Sequence, residues 1–148
     1  MCRTRHSKDV LGGEGGLYAA GRWHRRGTRM VYAAATLSLA TLEILVRTNR
    51  AYSPTDLTAV EIEIPDSIEI ERTPLSTLPA GWQAYPAPAF TQQRGTNWVA
   101  SGRTSVLAVP SAVIPLECNY LLNPAQPHFS RVRIVGRTPF SFDARLLT

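Results

Sequence analysis

The chain has 148 residues, 44% of them hydrophobic, which is the size and composition of one globular domain with one core. Its two cysteines, Cys2 and Cys118, are too few and too far apart for a disulfide framework or a cysteine metal cluster, and they favour the reducing cytoplasm. The formal net charge is +5, and the first thirty residues carry seven basic against two acidic side chains. This local excess predicts an anionic partner, either nucleic acid or a small molecule that bears phosphate.

A glycine-rich segment, GGEGGLYAAGRW at residues 12–23, holds five of the ten glycines. Glycines cluster where the backbone turns sharply or approaches a ligand closely, so the segment predicts a ligand loop, and the basic side chains around it favour an anionic ligand. A mobile hairpin is the alternative. The segment is not a Rossmann fingerprint, because Tyr18 stands where the third glycine belongs, and the chain has no Walker loop.

The apolar run at residues 30–46 divides into two predicted elements. Residues 29–34 have the composition of a short buried strand, and a helix follows, for which Thr36 or Ser38 is a suitable N-cap. The run contains Glu43 and several hydroxyl groups and is short for a bilayer, so we do not interpret it as a transmembrane segment.

Glu43 has two interpretations. Its helical neighbours Leu39, Ala40 and Val46 place the carboxylate on a mainly apolar face, where a charge is costly unless it has a partner or a function. Alternatively, it pairs with Arg47 four residues later, an ordinary surface contact worth a few tenths of a kcal/mol. Spacing alone leaves both open.

Arg22, Tyr32 and Glu43 would form a recognisable site if the fold brings them together. An arginine suits a phosphate, an aromatic ring suits a flat heterocycle, and a carboxylate suits a sugar that becomes positive. Taken singly, each residue has an ordinary alternative as a surface charge, a core aromatic or half of a surface pair. The sequence therefore makes the site a hypothesis that depends on the fold.

The remaining chain predicts short strands and one helix, and hence an α+β fold without repeats. Residues 58–64 alternate apolar and acidic side chains, as a half-exposed strand does. The other predicted elements are a short strand around Ile68 and Ile70, a proline-rich connection at 75–90, a helix at 91–100, and strands at 105–109, 132–135 and 140–142.

Four motifs in a fixed order resemble the RES-domain family, toxins of bacterial toxin–antitoxin pairs: GEGGLYAAGRW, MVYAAATLSLATLEILVRT, ASGRTSVLAVPSA and NYLLNPAQPHF. The resemblance covers nearly the whole chain, so that residues 1–148 form one RES domain. It implies an ADP-ribosyltransferase-like fold and the destruction of NAD+, which is the substrate, with no separate cofactor and no metal. It also implies an Xre-like helix-turn-helix antitoxin that covers the active site, with nucleic acid reached only through that partner, and no membrane partner.

The resemblance further implies roles for individual residues. The matched positions are Arg22, Tyr32, Glu43 and Ser111. The arginine would bind phosphates, the tyrosine would position nicotinamide, the glutamate would stabilise the positive sugar, and the serine would hydrogen-bond the substrate. Gly13 and Gly15 would let the backbone approach the dinucleotide.

The chain also departs from the family pattern. Family members usually begin with a strand whose last residue is an arginine of the NAD site, and here that arginine would fall just upstream of Met1. We expect either that the start is placed too late and the first strand is missing, or that Arg3 or Arg5 substitutes. Ala20 replaces a usual glycine, and Gln126 replaces a histidine.

The group that attacks the sugar stays open at this point: water, phosphate or a protein side chain. Nicotinamide leaves as a neutral molecule, so the step needs a carboxylate near the sugar more than a general acid. An enzyme that depletes NAD+ and a protein ADP-ribosyltransferase are therefore both compatible with these residues. A basic nucleic-acid-binding module and an inactive remnant that still binds its antitoxin are the other hypotheses.

Overall fold

The computed structural model describes residues 1–48 and 54–147. These ranges contain two small sheets and three α-helices, which confirms the predicted α+β class and is consistent with an ADP-ribosyltransferase-like architecture. The strands are β1 (Cys2–Arg3), β2 (Val31–Ala34), β3 (Leu57–Glu63), β4 (Ile70–Arg72), β5 (Val106–Pro110), β6 (Cys118–Leu122) and β7 (Arg133–Phe140). The helices are α1 (Gly15–Tyr18), α2 (Leu37–Leu45) and α3 (Ala89–Ser101).

One sheet has the strand order β1-β3-β7 and is antiparallel, whereas the other has the order β2-β6-β5-β4, with β4 parallel to β5. The second sheet carries the core, because every residue of β5 is buried. Leu107 and Val109 belong to one hydrophobic cluster, together with Trp98 of α3. Val106 belongs to a second cluster, together with Val132. A strand covered on both faces has a continuous apolar sequence rather than an alternating one, as β5 does.

Helix α2 starts at a side-chain cap. Thr36 has an extended backbone, and its Oγ1 accepts a hydrogen bond of 3.1 Å from the backbone N–H of Leu39. Leu39 is fully buried, so the helix packs beside β2 with one side against the core. The apolar run at 30–46 thus folds mainly as β2 and α2. Within the described ranges, no helix is long and apolar enough to cross a membrane.

Helix α3 lies directly on the backbone that follows α1. A Cβ atom at Gly95 would overlap the carbonyl oxygen of Trp23, so only glycine permits this close approach. The side chain of Gln92 also donates a hydrogen bond of 3.2 Å to the carbonyl oxygen of Gly21. Helix α3 therefore fixes the segment that carries Arg22.

The glycine-rich segment packs its backbone against the residues that lead into β2. Gly13 has a φ of 63°, in the left-handed region, and a Cβ there would lie 2.9 Å from the backbone nitrogen of Met30. A Cβ at Gly16 would overlap the carbonyl oxygen of Thr28. Gly15 lies in α1 and has no such neighbour within 4 Å. Two of these glycines therefore serve close contact between backbone segments.

Most predicted elements are present with shifted ends, but three differences matter. Strand β6 has no counterpart among the predicted elements, although it is the central strand between β2 and β5. The strands expected at 132–135 and 140–142 are one strand, β7, whose edge position tolerates Pro139. Strand β1 and the short helix α1 are also present in the structure without having been predicted.

Candidate active site

A cavity of about 260 Å³ opens between α2, β2 and β6. Four alanines line part of its wall, and their small side chains leave the cavity open: Ala33, Ala34, Ala40 and Ala112. The charged and polar side chains on the wall include Arg22, Tyr32, Glu43, Arg47 and Asn119. The fold therefore brings together the arginine, the tyrosine and the glutamate that the sequence hypothesis combines.

Glu43 uses its two carboxylate oxygens differently. Oε1 accepts hydrogen bonds from Ser111 Oγ at 2.9 Å and from Asn119 Nδ2 at 2.6 Å. Oε2 lies 3.3 Å from the guanidinium of Arg47. The Glu43 side chain is 17% exposed, against 62% for Arg47. Both sequence interpretations thus describe real contacts, since the residue pairs with Arg47 and is also a partly buried carboxylate on the cavity wall.

Ser111 lies behind Glu43 and is fully buried. Its Oγ donates to Glu43 and accepts hydrogen bonds from the backbone N–H groups of Val113 and Ile114, at 3.0 and 3.1 Å. Its side chain does not line the cavity. The hydrogen bond from Ser111 to a substrate stays a prediction, and in this structure the hydroxyl group of Ser111 orients Glu43.

The hydroxyl group of Tyr32 is held from two sides. It accepts a hydrogen bond of 3.0 Å from the backbone N–H of Trp23 and donates one of 2.7 Å to Nδ1 of His24. His24 Nε2 donates to the carbonyl oxygen of Ala19 at 3.1 Å, which puts the proton on Nε2 and leaves Nδ1 as an acceptor. Burial raises the pKa of Tyr32, so the hydroxyl stays protonated and able to donate at neutral pH. His24 thus holds Tyr32 on the cavity wall.

We expect His24 to make the protein less stable in mild acid. Burial lowers the pKa of His24, against a smaller raising effect of its hydrogen bond to Ala19. The unfolded chain then binds a proton more readily than the folded one, so the free energy of unfolding should fall as the pH drops from about 6.5 to the lower folded pKa. Urea unfolding from pH 7.5 to pH 5 measures this slope, which should be shallower in His24→Gln. Equal slopes in the two proteins would contradict the assignment of a neutral histidine.

Arg22 reaches the cavity but is already engaged with the proline-rich connection between β4 and α3. Its Nη1 donates a hydrogen bond of 2.7 Å to the carbonyl oxygen of Trp82. Its Nη2 donates to two further carbonyl oxygens, that of Gln83 at 3.2 Å and that of Ala84 at 3.1 Å. Burial lowers the pKa of Arg22, and the nearby charge of Arg47 adds to this effect, yet a guanidinium remains cationic at neutral pH. Arg22 therefore anchors a loop beside the cavity and contributes positive charge to it.

Three predicted substrate-binding residues, Arg3, Gly13 and Gly15, do not line this cavity. Arg3 belongs to β1 in the other sheet and forms an ion pair with Asp56. Arg5, the alternative to Arg3, donates from Nε to the ring of the adjacent histidine at 3.1 Å. Within the described ranges, none of these residues lines the cavity, and the hydrogen-bond and ion-pair partners of Glu43 are Ser111, Asn119 and Arg47.

Two polar residues of the site, His24 and Asn119, are not among the predicted site residues, although Asn119 is the first residue of the fourth motif. Asn119 lies in β6, opposite Ala34 of β2 and Val109 of β5. A polar side chain in a central strand needs a hydrogen-bond partner, and this signal becomes visible once β6 is recognised. His24 carries no comparable signal, because its contact with Tyr32 arises only when the chain turns back on itself.

The chain matches known proteins over nearly its whole length. A sequence model of the RES domain family matches residues 2–143. A protein of Sphingobium sp. (strain YBL2), named Prs ADP-ribosylating toxin, is 36% identical over 144 residues, which cover 96% of this chain and 89% of that protein. A protein of Photorhabdus laumondii named Toxin Res is 34% identical over 148 residues, or 99% and 94% of the two chains. Another Toxin Res, from Yersinia enterocolitica, is 37% identical over 143 residues, or 96% and 93%.

Proposed function

Because this chain belongs to the RES domain family, we propose that it is a toxin that breaks the bond between nicotinamide and ribose in NAD+, and so depletes NAD+ in the cytoplasm. The observation that carries this proposal is the carboxylate of Glu43, which lies on the cavity wall with Ser111 and Asn119 both donating to one oxygen. The names of the relatives add support, since they are toxins and one is named for ADP-ribosylation.

The chemistry of the bond matches what Glu43 offers. As nicotinamide leaves, positive charge develops on the ribose, and a fixed carboxylate stabilises that charge more in the transition state than in the ground state. The hydrogen bonds from Ser111 and Asn119 hold the carboxylate in one orientation, so little reorganisation accompanies the reaction. Tyr32, fixed by His24, supplies an aromatic wall for the nicotinamide ring.

The size of the cavity indicates how much of the substrate it holds. Small-molecule pockets commonly measure about 300–1,000 Å³. A volume of about 260 Å³ lies just below that range, so we assign the cavity to the nicotinamide and its ribose. The pyrophosphate and the adenosine would then extend toward the rim.

Transfer of ADP-ribose to a protein is the second candidate function, and the name of the Sphingobium relative favours it. Both candidates release nicotinamide and use the same carboxylate. They differ only in the acceptor, which is water or phosphate in one case and a protein side chain in the other.

Labelled NAD+ separates these candidates. We expect purified protein to release nicotinamide, measured by chromatography, and to leave the adenine label on a small molecule. Label that stays on added bacterial proteins after denaturation would instead establish the transferase. If neither free nicotinamide nor labelled protein forms, both candidates are wrong.

The same proposal includes an Xre-like helix-turn-helix antitoxin as the partner. Arg22 and Arg47 make the cavity mouth positive, so a carboxylate from the partner would bind there in place of the substrate phosphates. The complex should release nicotinamide much more slowly than the free toxin. Equal rates would exclude neutralisation by occupation of this cavity.

A further inference from the structure

Two arginines line the cavity within the described ranges, and they differ in what they already bind. Arg22 donates to backbone carbonyl groups at residues 82–84, and those contacts hold a loop in place. Arg47 contacts Glu43 Oε2 at 3.3 Å, and its side chain is 62% exposed. An incoming anion can therefore bind Arg47 without removing a hydrogen bond that supports the fold.

The electrostatics of the cavity favour such an anion. Arg22 and Arg47 outweigh the single charge of Glu43, so these three side chains leave a net charge of about +1. The two guanidinium groups also lie near enough for the charge of Arg47 to affect Arg22. A bound phosphate would compensate both positive charges.

We infer that Arg47 is the residue that binds a phosphate of the substrate, an inference that rests on the proposed function because it assumes a dinucleotide in this cavity. Arg47 lies two residues after the end of α2, and its guanidinium is 3.3 Å from the carboxylate of Glu43, so a phosphate bound by Arg47 would lie beside the reacting ribose. The guanidinium fork can donate two parallel hydrogen bonds to phosphate oxygens. When Arg47 turns to the phosphate, Glu43 Oε2 loses its present partner and becomes available to the sugar.

Equilibrium binding of ADP-ribose tests this inference without requiring turnover. We expect Arg47→Gln to weaken ADP-ribose binding by about tenfold or more, because a charge-assisted hydrogen bond is lost. Nicotinamide riboside has no phosphate to bind Arg47, so the same variant should weaken its binding by less than about threefold. Arg47→Lys should recover part of the ADP-ribose affinity, because lysine keeps the charge but not the fork.

Arg133→Gln is the matched control. Arg133 is also exposed, at 66%, and also pairs with one glutamate, Glu63, at 2.9 Å, but it lies in the other sheet. This variant should bind ADP-ribose as the wild type does.

Three results would overturn the inference: wild-type protein that does not bind ADP-ribose, an Arg47→Gln variant with wild-type affinity, or equal losses for ADP-ribose and nicotinamide riboside. Failure of the proposed function has a different outcome. A protein that binds ADP-ribose through Arg47 but releases no nicotinamide from NAD+ would contradict the function and leave the binding role in place.

Discussion

Glu43→Gln should release nicotinamide from NAD+ about 100- to 1,000-fold more slowly than the wild type, a loss of about 2.7–4 kcal/mol of transition-state stabilisation. Glutamine has nearly the same size and keeps an oxygen that can accept from Ser111 and Asn119. It lacks the negative charge that the developing positive ribose requires, and its amide NH2 replaces the oxygen that accepts from Arg47. The change therefore isolates electrostatics from shape.

The stability of Glu43→Gln should change little. The ion pair with Arg47 is lost, but that partner is 62% exposed, and helical pairs of this kind are worth about 0.3–0.5 kcal/mol. A charge that is mostly buried is itself costly to keep, which offsets part of the loss. We expect a thermal midpoint within a few degrees of the wild type and preserved binding of NAD+.

Glu63→Gln provides the matched control for this measurement. Glu63 also pairs with an arginine, at 2.9 Å, but it lies on β3, away from the cavity. The Glu63→Gln variant should release nicotinamide at the wild-type rate. Wild-type rates from folded Glu43→Gln protein would refute the catalytic assignment and leave Glu43 with its structural contacts to Arg47, Ser111 and Asn119.

Much of the secondary structure could be predicted from short-range sequence patterns. The N-cap at Thr36 and the alternation along β3 are properties of neighbouring residues, and both structures are present. Strand β6 is different, because Leu121 and Leu122 face two separate hydrophobic clusters. A short central strand of this kind has no alternation, so periodicity alone does not distinguish it from a loop.

In the site, too, contacts between residues near in sequence could be predicted, whereas contacts between residues far apart in sequence could not. Helical spacing placed Glu43 and Arg47 together, and the structure has that contact. Spacing could not show that Ser111 and Asn119 reach the same carboxylate, because those contacts join residues 68 and 76 positions apart. Likewise, the loop carbonyls that occupy Arg22 belong to residues some 60 positions later. Such contacts exist only once the sheets and helices have packed.

Gly95→Ala should destabilise the protein by about 3 kcal/mol or more, although alanine is the better helix former. Inside a helix the change from glycine to alanine gains about 0.8–1.0 kcal/mol from propensity alone. At this position, however, the new Cβ would overlap the carbonyl oxygen and approach the carbonyl carbon of Trp23 to 2.8 Å. The obstacle is backbone, which has no alternative rotamer, and Trp23 is only 2% exposed, so α3 and the core must separate.

Thermal unfolding with Gly15→Ala as the control decides whether packing or propensity dominates at Gly95. Gly15 is also helical, but no atom lies within 4 Å of its Cβ position, so alanine there should leave the midpoint unchanged or raise it slightly. For a chain of this size, 3 kcal/mol corresponds to a fall of about 6–12 °C in the midpoint for Gly95→Ala. Because α3 supports the backbone of Gly21 and Trp23, any folded fraction should also release nicotinamide more slowly. A midpoint at or above that of the wild type would mean that the close approach of α3 to Trp23 is not a requirement of this fold.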